Sequence, residues 1–295
     1  ICPIPVAGVI PYVRLDIEDE DSLTERFRKK SRSGLAKIAV IRLPRISNFT
    51  DIAPLEAVDE LDVSYVSNIS QFGDPDVVII PGSKNTISDL LWMRQNGLEG
   101  KILRHAAKGG IVFGICGGYQ MLGQSISDPT GAEQKGTVRG MGLLPVTTVF
   151  EQEKRRTRVS GRFAKVGGAL AEMSGVCYEG YEIHMGRTVL SKGTVPLVYM
   201  EEEGEQRQDG AQSDHVYGCY MHGIFDMSET VKTFLAAVLR KKGIDPSKIT
   251  VRDRNAYKEE QYDRLASIVR ENLNMEAVYK IIEKGNEASC SLLSE

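Results

Sequence analysis

Residues 111–122 read Ile-Val-Phe-Gly-Ile-Cys-Gly-Gly-Tyr-Gln-Met-Leu, and this stretch decides the fold prediction. It begins as a short apolar run rich in β-branched residues, which is typical of a buried strand. The glycines around its cysteine allow a sharp change of chain direction. A Gly-x-Cys-x-Gly sequence between a strand and a helix presents the central side chain in an exposed, strained turn. We therefore predict a strand–turn–helix unit with Cys116 at its apex.

Two further apolar runs of the same kind precede this unit, at residues 38–41 and 77–80. Helix-like stretches at about 86–96 and 99–108 lie between the second run and the third. Continuous apolar strands that alternate with helices indicate a parallel sheet covered on both faces. Residues 142–218 carry shorter strand and turn signals, which predict a more antiparallel extension of the same domain. The expected class is α/β, with a central, mostly parallel sheet flanked by helices.

The chain divides by its patterns into three regions. It opens with Ile1 inside strand-like sequence, so we expect residues 1–34 to be the end of a preceding domain and a charged linker. Residues 35–243 carry the alternating strands and helices and form the predicted main domain. A Gly-Ile-Asp-Pro break then leads to helical sequence, so residues 244–295 are expected to be a helical C-terminal extension and tail.

Composition narrows the class of protein. The chain has 37 Lys and Arg residues against 40 Asp and Glu residues, a balance that does not indicate a nucleic-acid partner. Its five cysteines are scattered without a Cys-x-x-Cys pair, which favours reduced thiols in a cytoplasmic protein. No apolar run approaches the ~20 residues that span a bilayer. A membrane partner is therefore not expected. No spacing of metal ligands is apparent either, so no metal is expected.

The position of Cys116 indicates a nucleophile. A cysteine at the start of a helix lies beside the positive end of the helix dipole, which stabilises the reactive thiolate. The backbone N–H of Gly117 would then be available to bind an oxyanion. The alternative is an inert cysteine buried in a tight turn. The glycines at positions 114, 117, 118 and 123 favour the nucleophile.

A thiol nucleophile needs a base, and the sequence offers four histidines. His222 follows the strand-like residues 216–221 and precedes Gly223. It is thus expected at a strand end, the edge where α/β folds place their ligands. It lies far downstream of Cys116, so only the fold can bring the two together. Its position alone leaves a role in proton transfer and a hydrogen-bonded core histidine as comparable alternatives.

Several separated segments resemble one family. Residues 114–123 resemble the glutaminase of class I glutamine amidotransferases. Residues 81–86, 180–188 and 218–226 are similar to the cobyric acid synthase branch of that class, and the likeness covers about 35–283. The resemblance implies the class I glutamine amidotransferase (flavodoxin-like) fold.

The resemblance also implies a reaction. Cys116 would attack the side-chain amide of glutamine, and His222 would move the protons. The backbone of Gly117, with that of Gly82 and Ser83, would bind the oxyanion. No cofactor is expected within this chain.

Partners are implied in the same way. Residues 1–34 would be the remnant of an N-terminal synthetase domain, which would use ATP and Mg²⁺. The released ammonia would serve there to amidate peripheral carboxylates of adenosylcobyrinic acid a,c-diamide, a corrinoid, in cobalamin biosynthesis. Two alternatives stay open: the glutaminase subunit of another amidotransferase (a cobyrinic acid a,c-diamide synthase or the partner of a Mur-ligase-like protein), and a non-catalytic glutamine-binding scaffold.

One position departs from the pattern of the class. Many members carry Glu two residues after the catalytic His, where it orients the imidazole. Here that position is Ile224, and the resembling cobyric acid synthase branch lacks this Glu, so what orients His222 is open. Asp226 is a candidate, although an Asp at this position is equally suited to capping the next helix.

Four further side chains are candidate contacts of glutamine or of the partner domain: Gln120, Tyr181, Glu182 and His184. The last three belong to a strand-like stretch, where alternating residues also pack or face solvent. The basic residues 154–158 are best explained as a solvated hairpin, with a corrinoid-facing patch as the alternative.

Overall fold

The computed structural model describes residues 6–13, 15, 34–202, 205–249 and 254–291. The described residues fall into two compact units, one of residues 6–13, 15 and 254–291 and one of residues 34–202 and 205–249. Most of the proposed N-terminal remnant, residues 1–5, 14 and 16–33, lies outside the described part. The division into three regions at 34 and 243 therefore stays a prediction.

The described part of the second unit contains fourteen strands. They are β1 (Ala36–Ile41), β2 (Ile46–Ser47), β3 (Leu61–Val66), β4 (Val77–Ile80), β5 (Gly82–Ser83), β6 (Ile111–Ile115), β7 (Ser125–Asp128), β8 (Gly136–Arg139), β9 (Val146–Phe163), β10 (Cys177–Leu190), β11 (Val198–Glu202), β12 (Glu205–Asp209), β13 (Ala211–Ser213) and β14 (Val216–Cys219).

The helices follow the same order. In the second unit they are α1 (Ala53–Glu56), α2 (Thr86–Gln95), α3 (Leu98–Ala107), α4 (Gly117–Leu122) and α5 (Ser228–Lys241). The first unit carries α6 (Arg254–Asn272) and α7 (Met275–Ser291). Short 3-10 turns occur at Phe49–Ile52, Gly168–Met173 and Pro246–Lys248. No helix among the described residues is long and apolar enough to cross a membrane.

The central sheet has the strand order β13-β14-β6-β4-β1-β3. All neighbours are parallel except β13, which pairs with β14 antiparallel at the edge. Every residue of β4 and β6 is buried, because helices cover both faces of the sheet and continuous apolar runs are needed there. The predicted α/β class is therefore confirmed. The carboxyl ends of β6, β14 and β4 meet at one edge, and this edge carries the candidate site.

A second sheet forms the predicted antiparallel extension. Its order is β12-β11-β9-β7-β8, with β10 pairing antiparallel to β9 along most of its length. The register of β9 and β10 shifts between His184 and Gly186. A β-bulge of this kind bends the strand and redirects its side chains. Here it brings the backbone of Gly186 close to Gln120: a Cβ on Gly186 would lie 2.4 Å from the Gln120 Nε2.

Helix α5 buries an apolar stripe formed by Val231, Phe234, Leu235 and Val238. The residue at the N-cap is Met227, which makes no side-chain cap bond, and Ser228 is already the first helical residue. The hydroxyl of Ser228 is thus one residue too late to accept from the free N–H groups of the first turn.

In the first unit, the helical C-terminal stretch consists of two helices. Asn274 interrupts it: its Oδ1 accepts the Ala277 N–H at 3.1 Å, a side-chain cap at the start of α7. The N-terminal strand-like residues lie against this break, where the Asn274 N–H donates to Ala7 O at 2.7 Å. A Cβ on Gly8 would lie 2.0 Å from Asn272 O, so this close approach requires glycine.

Candidate active site

Cys116 occupies the turn between β6 and α4, as predicted. Its backbone has φ 51° and ψ −106°, a conformation that only glycine adopts without strain. Close packing enforces this turn, since a Cβ on Gly118 would lie 1.9 Å from Ile80 O. The Cys116 N–H donates to Cys219 O at 2.8 Å and so extends the pairing of β6 with β14 to the turn.

The thiol of Cys116 faces a cleft of about 350 Å³. The side chain is 7% exposed, and its Sγ lies 3.8 Å from Ile183 O. The thiol is thus largely buried but borders a cleft. The cleft lies at the carboxyl edge of the central sheet, and its wall combines this edge with residues of β9 and β10.

His222 lies just beyond the end of β14 and is fixed on several sides. Its N–H donates to Tyr181 O at 2.9 Å, and the Tyr181 N–H donates back to His222 O at 3.1 Å. The Tyr181 ring stacks on the imidazole with 5.3 Å between centroids. The Tyr181 hydroxyl in turn accepts from Asn48 Nδ2 at 2.5 Å. A Cβ on Gly180 would lie 2.1 Å from His222 O, so the neighbouring backbone approaches very closely.

Asp51, in the 3-10 turn Phe49–Ile52, bonds to the edge of this imidazole. Its Oδ2 lies 2.7 Å from His222 Nδ1, and its Oδ1 accepts the Gly223 N–H at 2.9 Å. Both side chains are buried, His222 being 1% and Asp51 2% exposed. A carboxylate oxygen at this place accepts a hydrogen bond from Nδ1, which leaves Nε2 as the ring nitrogen available to Cys116. The carboxylate at Nδ1 thus belongs to Asp51, where the sequence offered Asp226.

The charge of His222 follows from these contacts. Burial alone would lower the pKa of the imidazole, but the charges of Asp51 and Cys116 and hydrogen bonds from both raise the pKa of His222 to about 10. Cys116 and His222 are therefore in hydrogen-bonding contact, and the fold makes the pairing that the sequence alone left open. A raised pKa of this size keeps His222 protonated at neutral pH.

The backbone at Ser83 is aimed away from its neighbouring strand. Strand β5 pairs antiparallel with β2, and the Lys84 N–H donates to Arg45 O at 2.8 Å. Because bonded and non-bonded pairs alternate along an antiparallel ladder, Ser83 opposes Ile46 in a non-bonded pair. The Ser83 N–H is then free to point towards the cleft.

This N–H lies next to the turn that carries Cys116. A Cβ on Gly117 would lie 2.9 Å from Ser83 N, and one on Gly82 would lie 3.1 Å from His222 Cε1. Gly117 begins α4, where a backbone N–H has no partner within the helix. The structure thus gathers Gly117, Gly82 and Ser83, the three predicted oxyanion residues, around Cys116 and His222.

Asp89 of α2 holds the segment around Ser83 in place through side-chain hydrogen bonds. Its Oδ2 accepts from the Ser83 hydroxyl at 2.7 Å and from the Arg45 N–H at 3.1 Å. The carboxylate is fully buried, and burial raises its pKa although these hydrogen bonds oppose the shift. One side chain therefore holds both β2 and β5 in place, which fixes the direction of the Ser83 N–H.

The other predicted contacts divide into two groups. Gln120 and His184 line the cleft of Cys116, whereas Tyr181 and Glu182 are not among its lining residues. Gln120 is buried, with its Oε1 3.1 Å from the Thr86 Oγ1 and its Nε2 donating to the Tyr220 hydroxyl at 3.1 Å. His184 stacks on the Tyr220 ring at 3.7 Å between centroids. Roles in substrate binding stay predictions for all four residues.

Glu182 lies in an ion-pair cluster. It is fully buried and contacts Arg207 and, at 3.0 Å, the Arg155 Nε. Burial would raise the pKa of Glu182, but the nearby His184 and Arg207 hold it below its ordinary value. Arg155 and Arg207 line a second cavity of about 360 Å³, which shares His184 and Met185 with the cleft. Among the described residues, no group of three or more His, Cys, Asp or Glu side chains is placed to hold a metal ion.

Sequence reasoning missed Glu133, which also lines the cleft. It lies in a loop that Asp128 organises by accepting the backbone N–H groups of residues 131–134 at 2.8–2.9 Å. The Glu133 Oε1 lies 3.2 Å from the Thr86 Oγ1, and its Oε2 accepts the Ile87 N–H at 3.2 Å. Burial raises the pKa of Glu133. The Asp-Pro-Thr-Gly sequence before it was a turn signal, but it gave no sign of a cleft.

The fold and the site together define a class I glutamine amidotransferase architecture. PurLQS from Thermotoga maritima has a similar fold, with a TM-score of 0.53 at 17% identity over 70% of this chain and 99% of that one. Residues 37–230 match the CobB/CobQ-like glutamine amidotransferase domain, and the chain belongs to this family. The predicted fold class is thereby confirmed.

Curated relatives extend the likeness. A cobyric acid synthase from Ruminiclostridium cellulolyticum is 53% identical over 96% of this chain and 56% of its own length. One from Lachnoclostridium phytofermentans is 44% identical over 97% of this chain and 57% of its own length. The predicted resemblance to this branch is confirmed, and the chain spans about half the length of the curated relatives it matches.

Proposed function

We propose that this chain is the glutaminase part of a cobyric acid synthase, with Cys116 as nucleophile and His222 as proton carrier. The observation that carries the proposal is the contact of a buried, carboxylate-bonded imidazole with a thiol in a strained turn beside a cleft. A thiol activated by an oriented imidazole is the arrangement that attacks amides.

Acylation begins with attack of the Cys116 thiolate on the side-chain amide carbon of glutamine. The carbonyl oxygen takes the negative charge and accepts from the Gly117 and Ser83 N–H groups, with Gly82 shaping the approach. His222 then gives the proton on Nε2 to the amide nitrogen. The carbon–nitrogen bond breaks, ammonia leaves, and a glutamyl thioester on Cys116 remains.

Hydrolysis of the thioester uses the same imidazole as a base. Once Cys116 is acylated its negative charge is gone, and with it one of the contributions that raise the pKa of His222. The neutral imidazole takes a proton from water, and the hydroxide attacks the thioester carbon. Glutamate leaves as the sulfur takes up its electron pair, which restores the thiolate–imidazolium pair.

We propose that the ammonia serves an ATP- and Mg²⁺-dependent synthetase domain, which amidates peripheral carboxylates of a corrinoid in the cytoplasm. The identity to cobyric acid synthases over most of this chain supports this assignment. A glutaminase subunit of another amidotransferase is less well supported, because the two relatives described above share this one name. A non-catalytic scaffold would have no need of the strained turn at Cys116.

Glutamine recognition is proposed to involve Glu133. It is the only carboxylate among the described residues that line the cleft, and Lys84 is their only amine. The single hydroxyl hydrogen of Thr86 faces both Gln120 Oε1 and Glu133 Oε1, so one of these acceptors keeps capacity for another donor. The α-ammonium group of glutamine fits Glu133, and its α-carboxylate fits Lys84.

We expect Glu133→Gln to raise the KM for glutamine about 10- to 100-fold with little change in kcat. This is the range for losing one hydrogen bond to a charged group, about 1.5–3 kcal/mol. Steady-state ammonia release measures the effect. Glutaramate, which lacks the α-amino group, is the control substrate, and the variant should hydrolyse it as well as the parent does. An equal loss with both substrates would remove Glu133 from recognition of the ammonium group.

Ammonia release from glutamine tests the function directly. We expect weak release from the chain alone and strong release when it is joined to the N-terminal part of the Ruminiclostridium cellulolyticum relative, because such a partner would organise the oxyanion groups. The matched control is the same fusion with Cys116→Ala, which should release none. A fusion that binds glutamine without releasing ammonia would favour the scaffold instead.

A further inference from the structure

Asp51 provides the carboxylate at His222 Nδ1 that the residue two positions after the His provides in many members of the class. The class often carries Glu two residues after the catalytic His, and this chain has Ile224 there, fully buried in apolar packing. An imidazole without a partner at Nδ1 is free to take either tautomer and to turn about its side-chain bonds. The reaction above requires one tautomer, with Nδ1 protonated and Nε2 directed to sulfur.

We infer that Asp51 is the positioning residue for His222, supplied by the turn after β2 and not by the strand that carries the imidazole. The inference rests on the proposed function. Asp51 acts through His222 and is separated from it by 171 positions in the sequence.

The two carboxylate oxygens of Asp51 bond to two neighbouring residues, His222 and Gly223. Oδ2 bonds to the ring at Nδ1, at 2.7 Å, and Oδ1 bonds to the backbone N–H of Gly223, at 2.9 Å. The first bond sets the tautomer and the second fixes the chain just beyond the imidazole. A carboxylate held by two donors in this way has little freedom to turn, so it fixes the plane of the ring as well as its proton.

The burial of the pair makes the interaction strong. His222 and Asp51 are both almost inaccessible to solvent, and opposite charges at this distance interact far more strongly in the interior than in water. Removing one member leaves the other buried and uncompensated. The titratable groups that face the ring are Asp51 at Nδ1, Cys116 at the opposite edge and Tyr181 on the face.

The same turn also supports the face of the ring. Asn48 immediately precedes the 3-10 turn and has left-handed backbone angles, φ 52° and ψ 39°. From this position its side chain donates to the hydroxyl of Tyr181, whose ring stacks on His222. Residues 48–51 thus hold the imidazole in two ways. Asp51 bonds to its edge, and Asn48 bonds to the Tyr181 hydroxyl, whose ring stacks on its face.

Imidazole ¹⁵N NMR tests this inference without any need for activity. The chain has four histidines, and the spectrum of His222→Gln identifies the signal of His222 by its loss. In the parent chain we expect His222 to stay protonated through neutral pH and to titrate near 10. Asp51→Asn keeps the size of the side chain but removes its charge and one of its two acceptor oxygens, so the contributions of Asp51 that raise the pKa of His222 are lost and this pKa should fall below that of the parent chain.

The kinetic arm uses labelling of Cys116 by a diazoketone analogue of glutamine, followed by mass spectrometry. We expect Asp51→Asn to slow labelling about 100-fold or more, since a misdirected proton carrier loses most of its contribution. The matched control is Asp62→Asn, a buried carboxylate on β3 at the opposite end of the central sheet, which should label at the parental rate. Thermal melts of both variants show whether each is folded.

Each result decides the inference. Unchanged titration of His222 in Asp51→Asn overturns it, and so does unchanged labelling of Cys116. If Asp51→Asn does not fold, the parent chain still decides, because titration of its His222 at the ordinary value for histidine also overturns the inference. Failure of the parent chain to label at Cys116 counts instead against the proposed function, and the NMR result then stands by itself.

Discussion

Cys116→Ala should abolish both labelling by the diazoketone analogue and ammonia release from glutamine. The expected loss is on the order of 10⁴-fold or more, because the covalent intermediate cannot form without the thiol. The substitution removes one sulfur atom from a residue that lines a cleft, so the fold should persist. Mass spectrometry of the labelled protein and an ammonia assay measure the two effects.

The other described cysteines provide the controls for this experiment. Cys177 is exposed at the start of β10, and Cys177→Ser should leave labelling and ammonia release unchanged. Cys219 is fully buried, and burial raises its pKa well above the ordinary value, so its thiol should not react. Labelling of Cys219 with Cys116 spared would overturn the assignment of the nucleophile.

His222→Gln is expected to lower the rate of labelling and of ammonia release by about 10²- to 10⁴-fold. Glutamine keeps much of the volume and a donor for Asp51, but it neither charges nor carries a proton. The leaving nitrogen then departs without a proton from the enzyme, and the thiolate loses its imidazolium partner. Because His222 contacts Cys116 directly, both the formation and the breakdown of the thioester should slow.

His105→Gln is the matched control for that variant. His105 lies at the other end of β6, where its Nε2 is 3.1 Å from Ile111 O, and burial lowers its pKa. It is half-buried and hydrogen-bonded like an ordinary structural histidine, so its replacement should leave the labelling rate unaltered. Equal rates for the parent and for His222→Gln would take His222 out of the mechanism.

The sequence predicted those parts of the fold that depend on local pattern. Strand β6 and the turn at Cys116 were predictable because a fully buried parallel strand must be apolar throughout and because the turn needs its glycines. The antiparallel extension was predictable from its strand and turn signals, although its two main strands, β9 and β10, are longer than the short strands expected. The first residue of α5 is not fixed by local pattern, since a serine next to a helix start resembles a cap whether it precedes the first turn or, like Ser228, belongs to it.

Sequence patterns alone did not pair Cys116 with His222, and the resemblance to a known family supplied that pairing. Asp51 follows Asn-Phe-Thr in a segment that has the composition of any polar turn, and nothing local distinguishes it from a solvated carboxylate. Its contact with His222 arises from tertiary packing across 171 positions of sequence. Glu133 was hidden for the same reason, because Asp128 and Thr86 give its loop a shape that no spacing in the chain encodes.

Strand β2 and the turn after it form one continuous segment, residues 45–52, which contacts both the strand of Ser83 and the imidazole of His222. One end is paired with the strand of Ser83, and the other end holds the imidazole. A displacement of reacting groups by about 1 Å is enough to lower a rate about 10²-fold. A small shift of this segment would therefore weaken oxyanion stabilisation and proton transfer together. Residues 45–52 therefore couple the position of the Ser83 backbone to the position of the His222 ring.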